Sequence, residues 1–142
     1  MGYRRIVCLC LAMVVLVACG RAATPTPNPL AGGVLATFDV QGQRFHVWVT
    51  NAQTIQQILD LQVGKSEANI PNGRILRGRG QGEHNAPWSW HLDPQDIAMA
   101  ELTIELCDGE PAFVEQNLAE YVDIVERYCP WSAKLVGIED HR

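Results

Sequence analysis

The chain has 142 residues, with 11 Lys and Arg against 16 Asp and Glu, which gives a formal net charge of −5 at pH 7. This length allows one domain and hardly two. The acidic balance argues against nucleic-acid binding, which needs clustered Lys and Arg, and against electrostatic docking to anionic lipid.

The N-terminus has the layout of an export signal. A short basic start, Met1–Arg5, precedes the apolar run Ile6–Val17, which is too short for a transmembrane helix of ~20 residues. The run ends in Leu16-Val17-Ala18-Cys19, which resembles the lipobox of bacterial lipoproteins. The resemblance implies cleavage before Cys19 and acylation of that residue, for example with palmitate. A plain secretory signal with an incidental Cys19 is the alternative.

Export and acylation define three regions: a lipoprotein signal peptide (1–18), a lipidated Pro- and Thr-rich tether (19–33) and one globular domain (34–142). Loss of Arg4 and Arg5 leaves 9 basic against 16 acidic residues, a net charge of −7. Alternating prolines in Thr24–Pro29 favour extended backbone and exclude a helix, so we expect no fixed structure in Gly20–Gly33. The protein is expected on the outer face of a bacterial membrane, which is the outer membrane if the cell has two.

The first half of the domain predicts a hairpin and a helix. Leu35–Val40 and Arg44–Thr50, the second of which is apolar at alternate positions, flank Gly42, which suits a turn with positive φ. Asn51 can then cap a helix over about Ala52–Val63, which Gly64 would end.

The second half predicts further strands and one long helix. The predicted strands are Gly73–Gly78, Pro87–Leu92, Leu102–Leu106 and Ala133–Ile138; Asp93 would cap a helical turn through Ala100, and the helix would span Pro111–Arg127. Leu102–Leu106 alternates most clearly and is predicted to be a half-buried strand. The expected fold is α+β: a mixed or mainly antiparallel sheet of five to six strands with two main helices packed on one face.

Cys107 and Cys129 are the thiols that remain beside the acylated cysteine. An extracytoplasmic location lets them oxidise, and the intervening helix can bring them together, so a disulfide is predicted. Two buried free thiols and a Cys–His nucleophile are the alternatives.

The stretch Pro87–Pro94 concentrates the side chains that could form a binding surface: Trp88, Trp90, His91 and Asp93. Aromatic faces beside an imidazole and a carboxylate can hold a sugar, a cation or a side chain of a partner. The alternative is architectural, with both Trp in the core, His91 solvated or hydrogen-bonded, and Asp93 only capping a turn.

The sequence supports a metal site or a catalytic site less well than it supports this binding surface. Glu83, His84, His91 and Asp93 could supply ligands, but the histidine spacing matches neither an i,i+4 helical pair nor a zinc finger. Glu101, Glu105 or Asp108 could serve in paired-carboxylate hydrolysis, but Glu101 and Glu105 share one face of a predicted strand, which is normal for the solvated face of a sheet. We therefore assign no catalytic residue and expect no metal or other cofactor.

Three strings are similar to a known family: Pro87-Trp-Ser-Trp-His-Leu-Asp-Pro94, Glu105-Leu-Cys-Asp-Gly109 and Tyr128-Cys-Pro-Trp-Ser-Ala-Lys-Leu-Val136. They resemble the N-terminal domain family of the calmodulin-binding protein BP-seventy-four, over about Ala36–Val136. The resemblance implies that the cysteine bridge is a family feature and supplies no catalytic residues. Calmodulin binding is not expected, since calmodulin targets are basic amphipathic helices and Pro111–Arg127 is acidic.

These observations favour a lipid-anchored, extracytoplasmic binding or interaction domain. Its partners would be the membrane, through acylated Cys19, and an envelope protein, a glycan or a small ligand. One alternative is a small extracytoplasmic hydrolase or metal-dependent enzyme that uses His84, His91, Asp93 or Glu105. The other is a structural lipoprotein of the envelope.

Overall fold

A computed structural model describes residues 26–142. The predicted signal peptide, Cys19 and the first part of the tether lie outside this range. Among the described residues, no helix is long and apolar enough to cross a membrane. The end of the predicted tether contacts the domain: the Asn28 side chain hydrogen-bonds to the ring of His141 at 3.2 Å, and the Gly32 N–H donates to the carbonyl of His141 at 2.8 Å.

The domain has an α+β fold, as predicted, with six strands among its described residues. In chain order the elements are β1 (Val34–Val40), β2 (Gln43–Val49), α1 (Ala52–Gln62), β3 (Ile70–Arg77), β4 (Trp90–Ala100), α2 (Pro111–Gln116), α3 (Leu118–Glu120), β5 (Arg127–Tyr128) and β6 (Lys134–Asp140). The strands form two antiparallel sheets, β2-β1-β6 and β4-β3-β5, so the prediction of a single sheet is wrong.

The β1–β2 hairpin and helix α1 follow local sequence signals. Both Gln41 and Gly42 have positive φ in the hairpin turn. The side-chain oxygen of Asn51 accepts the N–H groups of Gln53 and Thr54 at 2.9 and 3.2 Å, and this cap begins α1. Gly64, with φ +72°, follows the last turn of the helix, as predicted.

Strand β4 is longer than predicted, because it continues through the residues expected to form a helical turn. It pairs with β3 at both ends, and the register shifts between them, so that the four residues from Asp93 to Asp96 lie opposite Arg74 alone. Pro94 sits in this irregular stretch, where a missing N–H breaks no regular ladder. Asp93 therefore starts no helix.

The predicted strand Leu102–Leu106 does not form. Residues 102–104 have no regular secondary structure, and a 3-10 turn follows at Glu105–Cys107.

The predicted helix Pro111–Arg127 is interrupted. Asn117, at φ −118° and ψ 31°, separates α2 from α3, and a π-helical turn follows at Tyr121–Val125. The side chain of Asn117 donates to the carbonyl of Phe113 at 2.8 Å, and such competition with helix bonds favours a break.

One hydrophobic core joins both sheets. Phe45 of β2 lies between Phe38 of β1, at a ring distance of 5.7 Å, and Tyr128 of β5, at 5.4 Å. Ile55 and Ile58 of α1 and Val114 of α2 complete the same cluster. The two sheets are therefore held together mainly by burial of apolar and aromatic area.

Candidate functional site

Trp90, which we expected on a binding surface, belongs to the core. Its side chain is fully buried, 5.8 Å from the ring of Phe45 and 5.1 Å from that of Tyr128. Within the described part of the chain, its indole nitrogen has no hydrogen-bond partner. The surface role predicted for Trp90 is wrong, because the residue lies at the centre of the contact between the sheets.

Trp88 and Asp93 make structural contacts beside it. The indole N–H of Trp88 donates to the carbonyl of Arg44 at 2.8 Å, and its half-buried ring stacks on Trp90 at 6.3 Å. One carboxylate oxygen of Asp93 accepts the N–H of Gln95 at 3.0 Å, within the irregular part of β4. These contacts fit the architectural alternative for both residues.

His84 and His91 are brought together. Their rings lie 5.8 Å apart and are nearly perpendicular, and the Nδ1 atom of His91 is 2.7 Å from the carbonyl oxygen of Gly78. His84 is buried, with its Nδ1 atom 3.0 Å from the carbonyl oxygen of Gln81. Among residues 26–142, its Nε2 atom has no hydrogen-bond partner.

Burial lowers the pKa of His84 below its ordinary value of 6.5. The carbonyl of Gln81 raises this pKa, and the rings of His91 and His46 lower it. Burial also lowers the pKa of His46, whose ring nitrogen lies 2.9 Å from the hydroxyl of Thr37. A neutral imidazole is therefore favoured at both positions.

The other groups of the enzyme hypothesis do not join this histidine pair in one site. Glu105 follows the far end of β4, whereas His84 and His91 lie at its beginning. Within the described residues, no group of three or more His, Cys, Asp or Glu side chains could hold a metal ion. The four residues of the enzyme hypothesis, His84, His91, Asp93 and Glu105, do not converge.

Asn85 is a structural residue that sequence reasoning missed. It is fully buried; its side-chain oxygen accepts the N–H of His46, and its side-chain nitrogen donates to the carbonyl of Trp90, both at 2.7 Å. It therefore connects β2 of one sheet with β4 of the other. Nothing in the polar loop sequence around it indicated this burial.

Cys107 and Cys129 lie with their sulfur atoms at disulfide-bonding distance and their Cα atoms 5.2 Å apart. Both are buried and form a small second cluster with Ile70, against which Ala100 and Val125 pack. The N–H of Cys129 donates to the carbonyl of Cys107 at 2.8 Å.

A solvent-exposed apolar surface precedes this cysteine pair. We call Glu101–Leu106 the acidic apolar segment. Leu102, Ile104 and Leu106 are 81%, 66% and 64% exposed, although their alternation predicted one buried face. The indole N–H of Trp131 donates to the hydroxyl of Thr103 at 2.7 Å, which holds the segment to the body of the domain.

A groove of about 380 Å³ runs beside β6, which is one of the two edge strands of its sheet. It is lined by the end of α1, by Asn69 and by the consecutive residues Ala133 to Ile138. Adjacent residues of a strand point to opposite faces, so the groove is open to the edge of β6.

A small α+β domain with an aromatic core and one cysteine pair is thus defined by the fold. Its sequence matches the family described as the BP-seventy-four N-terminal domain over residues 33–142, more than three quarters of the chain. The chain belongs to this family, which confirms the resemblance drawn from the three strings. No curated protein and no solved structure was found to match it.

We predict that Asn85→Ala destabilises the domain strongly. The substitution leaves two backbone groups in a buried site without a partner, which costs about 2–4 kcal/mol of unfolding free energy. Urea denaturation measures this loss. Asn28→Ala, which removes only exposed hydrogen bonds, is the control and should change stability by less than about 1 kcal/mol. Equal effects of the two substitutions would contradict the role assigned to Asn85.

The lowered pKa of His84 predicts a loss of stability in mild acid. The unfolded chain protonates this residue near pH 6.5, whereas the folded protein does so only at lower pH. The contribution of His84 to the free energy of unfolding is therefore fully present above pH 6.5. It is lost as the pH falls below that value, by at most about 1.4 kcal/mol per pH unit for this one residue.

The urea midpoint at pH 7.5 and pH 5.5 measures this dependence. His84→Gln should reduce the difference between the two midpoints, and part of it should persist because the pKa of His46 is lowered too. An unchanged difference in His84→Gln would rule out His84 as a cause.

Proposed function

We propose that this protein is a lipid-anchored, extracytoplasmic domain that acts by binding another envelope component. The string Leu16–Cys19 supports the anchor, and the tether of residues 19–33 would join the acylated Cys19 to the domain of residues 34–142. The distance between Cys107 and Cys129 supports an oxidising location, where disulfides form and persist.

The exposed acidic apolar segment is the observation that carries the binding role. Monomeric proteins seldom hold several large aliphatic side chains in water on one short segment unless the surface is used. Leu102, Ile104 and Leu106 are all more than 60% exposed. Aliphatic side chains favour a protein partner over a glycan, which would use aromatic faces such as those of Trp88 and Trp90.

We predict that Cys19→Ser releases the protein from membranes, because the serine oxygen does not accept the lipid that anchors the chain. The measurements are membrane fractionation and metabolic labelling with a palmitate analogue. The double variant Cys107→Ser, Cys129→Ser is the control and should remain labelled and membrane-bound. Cys19→Ser protein that still pellets with membranes would exclude this anchor.

We also predict that a photo-crosslinking residue at Leu102 captures a specific envelope protein in cells. The product should disappear when Ile104→Asn is added, because that change removes apolar contact beside the probe. A probe at Glu83, at the other end of β4, is the matched control and should give no such product. Capture that is insensitive to Ile104→Asn would contradict the proposed surface.

A further inference from the structure

We propose that the acidic apolar segment is a docking strand for an extended segment of a partner protein in which apolar and basic side chains alternate. This inference rests on the proposed binding function, and it specifies the site and the chemistry of the partner. Pairing of extended segments is an established mode of peptide recognition, in which backbone hydrogen bonds give affinity and side chains give specificity.

The sequence of the segment is that of a strand without a partner. Glu101-Leu-Thr-Ile-Glu-Leu106 alternates polar and apolar residues, the pattern of a strand with one covered face. Ile104 has extended backbone, with φ −79° and ψ 149°. The apolar face that the pattern would bury is exposed in the isolated domain. A strand from another chain would cover it.

The backbone of the segment is also available. Within residues 26–142, neither Leu102 nor Thr103 takes part in a backbone-to-backbone hydrogen bond. Exposed N–H and C=O groups of extended chain form a template for another strand. The backbone and the side chains therefore favour the same kind of ligand.

The segment is held in place before any partner arrives. At one end, Ala100 of β4 pairs with Ile70, and at the other, Cys107 is joined to Cys129. Between them, Thr103 accepts the hydrogen bond from Trp131. A segment fixed at three points loses little conformational freedom on binding, which favours affinity.

Charge indicates which partner fits. Glu101 and Glu105 are exposed beside the apolar side chains, and the mature chain carries a net charge of −7. A second copy of the chain would bring carboxylates against carboxylates, which disfavours self-pairing. Lys or Arg side chains on the partner would complement them.

The membrane is a poorer occupant of this surface. In the described part of the chain, the N-terminal side contacts the loop before β4, where the side chain of Gln81 donates to the carbonyl of Pro29. The acidic apolar segment follows the opposite end of β4, an 11-residue strand that spans only ~25 Å, because four of its residues lie opposite one residue of β3. The described start of the tether therefore lies at the end of β4 remote from the segment. Inserting its carboxylates into lipid would also cost their hydration.

The test uses the mature lipidated protein in zwitterionic phosphatidylcholine vesicles. The probes are two synthetic peptides of equal length, one alternating Lys and Val and the other Glu and Val. The Lys-Val peptide should bind, with an affinity that falls as salt is raised, and the Glu-Val peptide should not.

Ile104→Asn and Glu105→Lys should each weaken binding of the Lys-Val peptide about tenfold or more. Glu83→Lys makes the same change of charge at the other end of β4 and should alter binding by less than about twofold. The substituted side chains are exposed, so thermal unfolding of all three variants should match that of the parent protein.

Three results would overturn the inference: equal binding of both peptides, equal effects of Glu83→Lys and Glu105→Lys, or a blue shift of the tryptophan emission when vesicles are added to the Cys19→Ser protein, without peptide binding. The last result would assign the surface to lipid. Failure of the anchor is seen separately, as protein that does not associate with the vesicles, and the peptide titration can still be made on that protein in solution.

Discussion

The mutual packing of Trp90, Phe45 and Tyr128 is the contact on which the rest of the structure depends. Phe45 belongs to the sheet β2-β1-β6, and Trp90 and Tyr128 belong to the sheet β4-β3-β5. Neither three-stranded sheet can cover its own apolar face, so the aromatic cluster unites them into one core. Apolar packing alone does not fix the position of β2 relative to β4, and the two hydrogen bonds of Asn85 do so.

Local signals predicted the hairpin, the Asn51 cap and the α+β class, because each depends on neighbouring residues. The second half of strand β4 could not be predicted, since it is fixed by pairing with Ile70–Gly73 and its Pro94 is tolerated only where the register shifts. Pro and Asp imposed the local expectation of a helix, and a distant strand overrode it. The break at Asn117 was also missed, because the bond from its side chain to the carbonyl of Phe113 is a detail that the apolar periodicity does not show.

For the candidate site, the sequence identified the chemistry-bearing residues and misjudged which were accessible. Alternation shows that a segment has two different faces, but it does not show what covers the apolar one. Trp90 and Leu92 lie on a face covered by the domain itself, whereas Leu102 and Ile104 lie on a face that the domain leaves open. A segment that has the alternating pattern of a strand but pairs with no strand of its own domain is expected at a functional surface.

The two faces differ in what the fold requires of them. The Trp side chains that were predicted to form a binding surface pack in or against the core that joins the sheets, so altering them would weaken that core. The acidic apolar segment carries no such duty, because its three aliphatic side chains are in water and stabilise little in the free domain. Ala100 at one end, Thr103 and the cysteine pair tie it to the fold. Its apolar and charged side chains can therefore vary with the partner while the core stays unchanged.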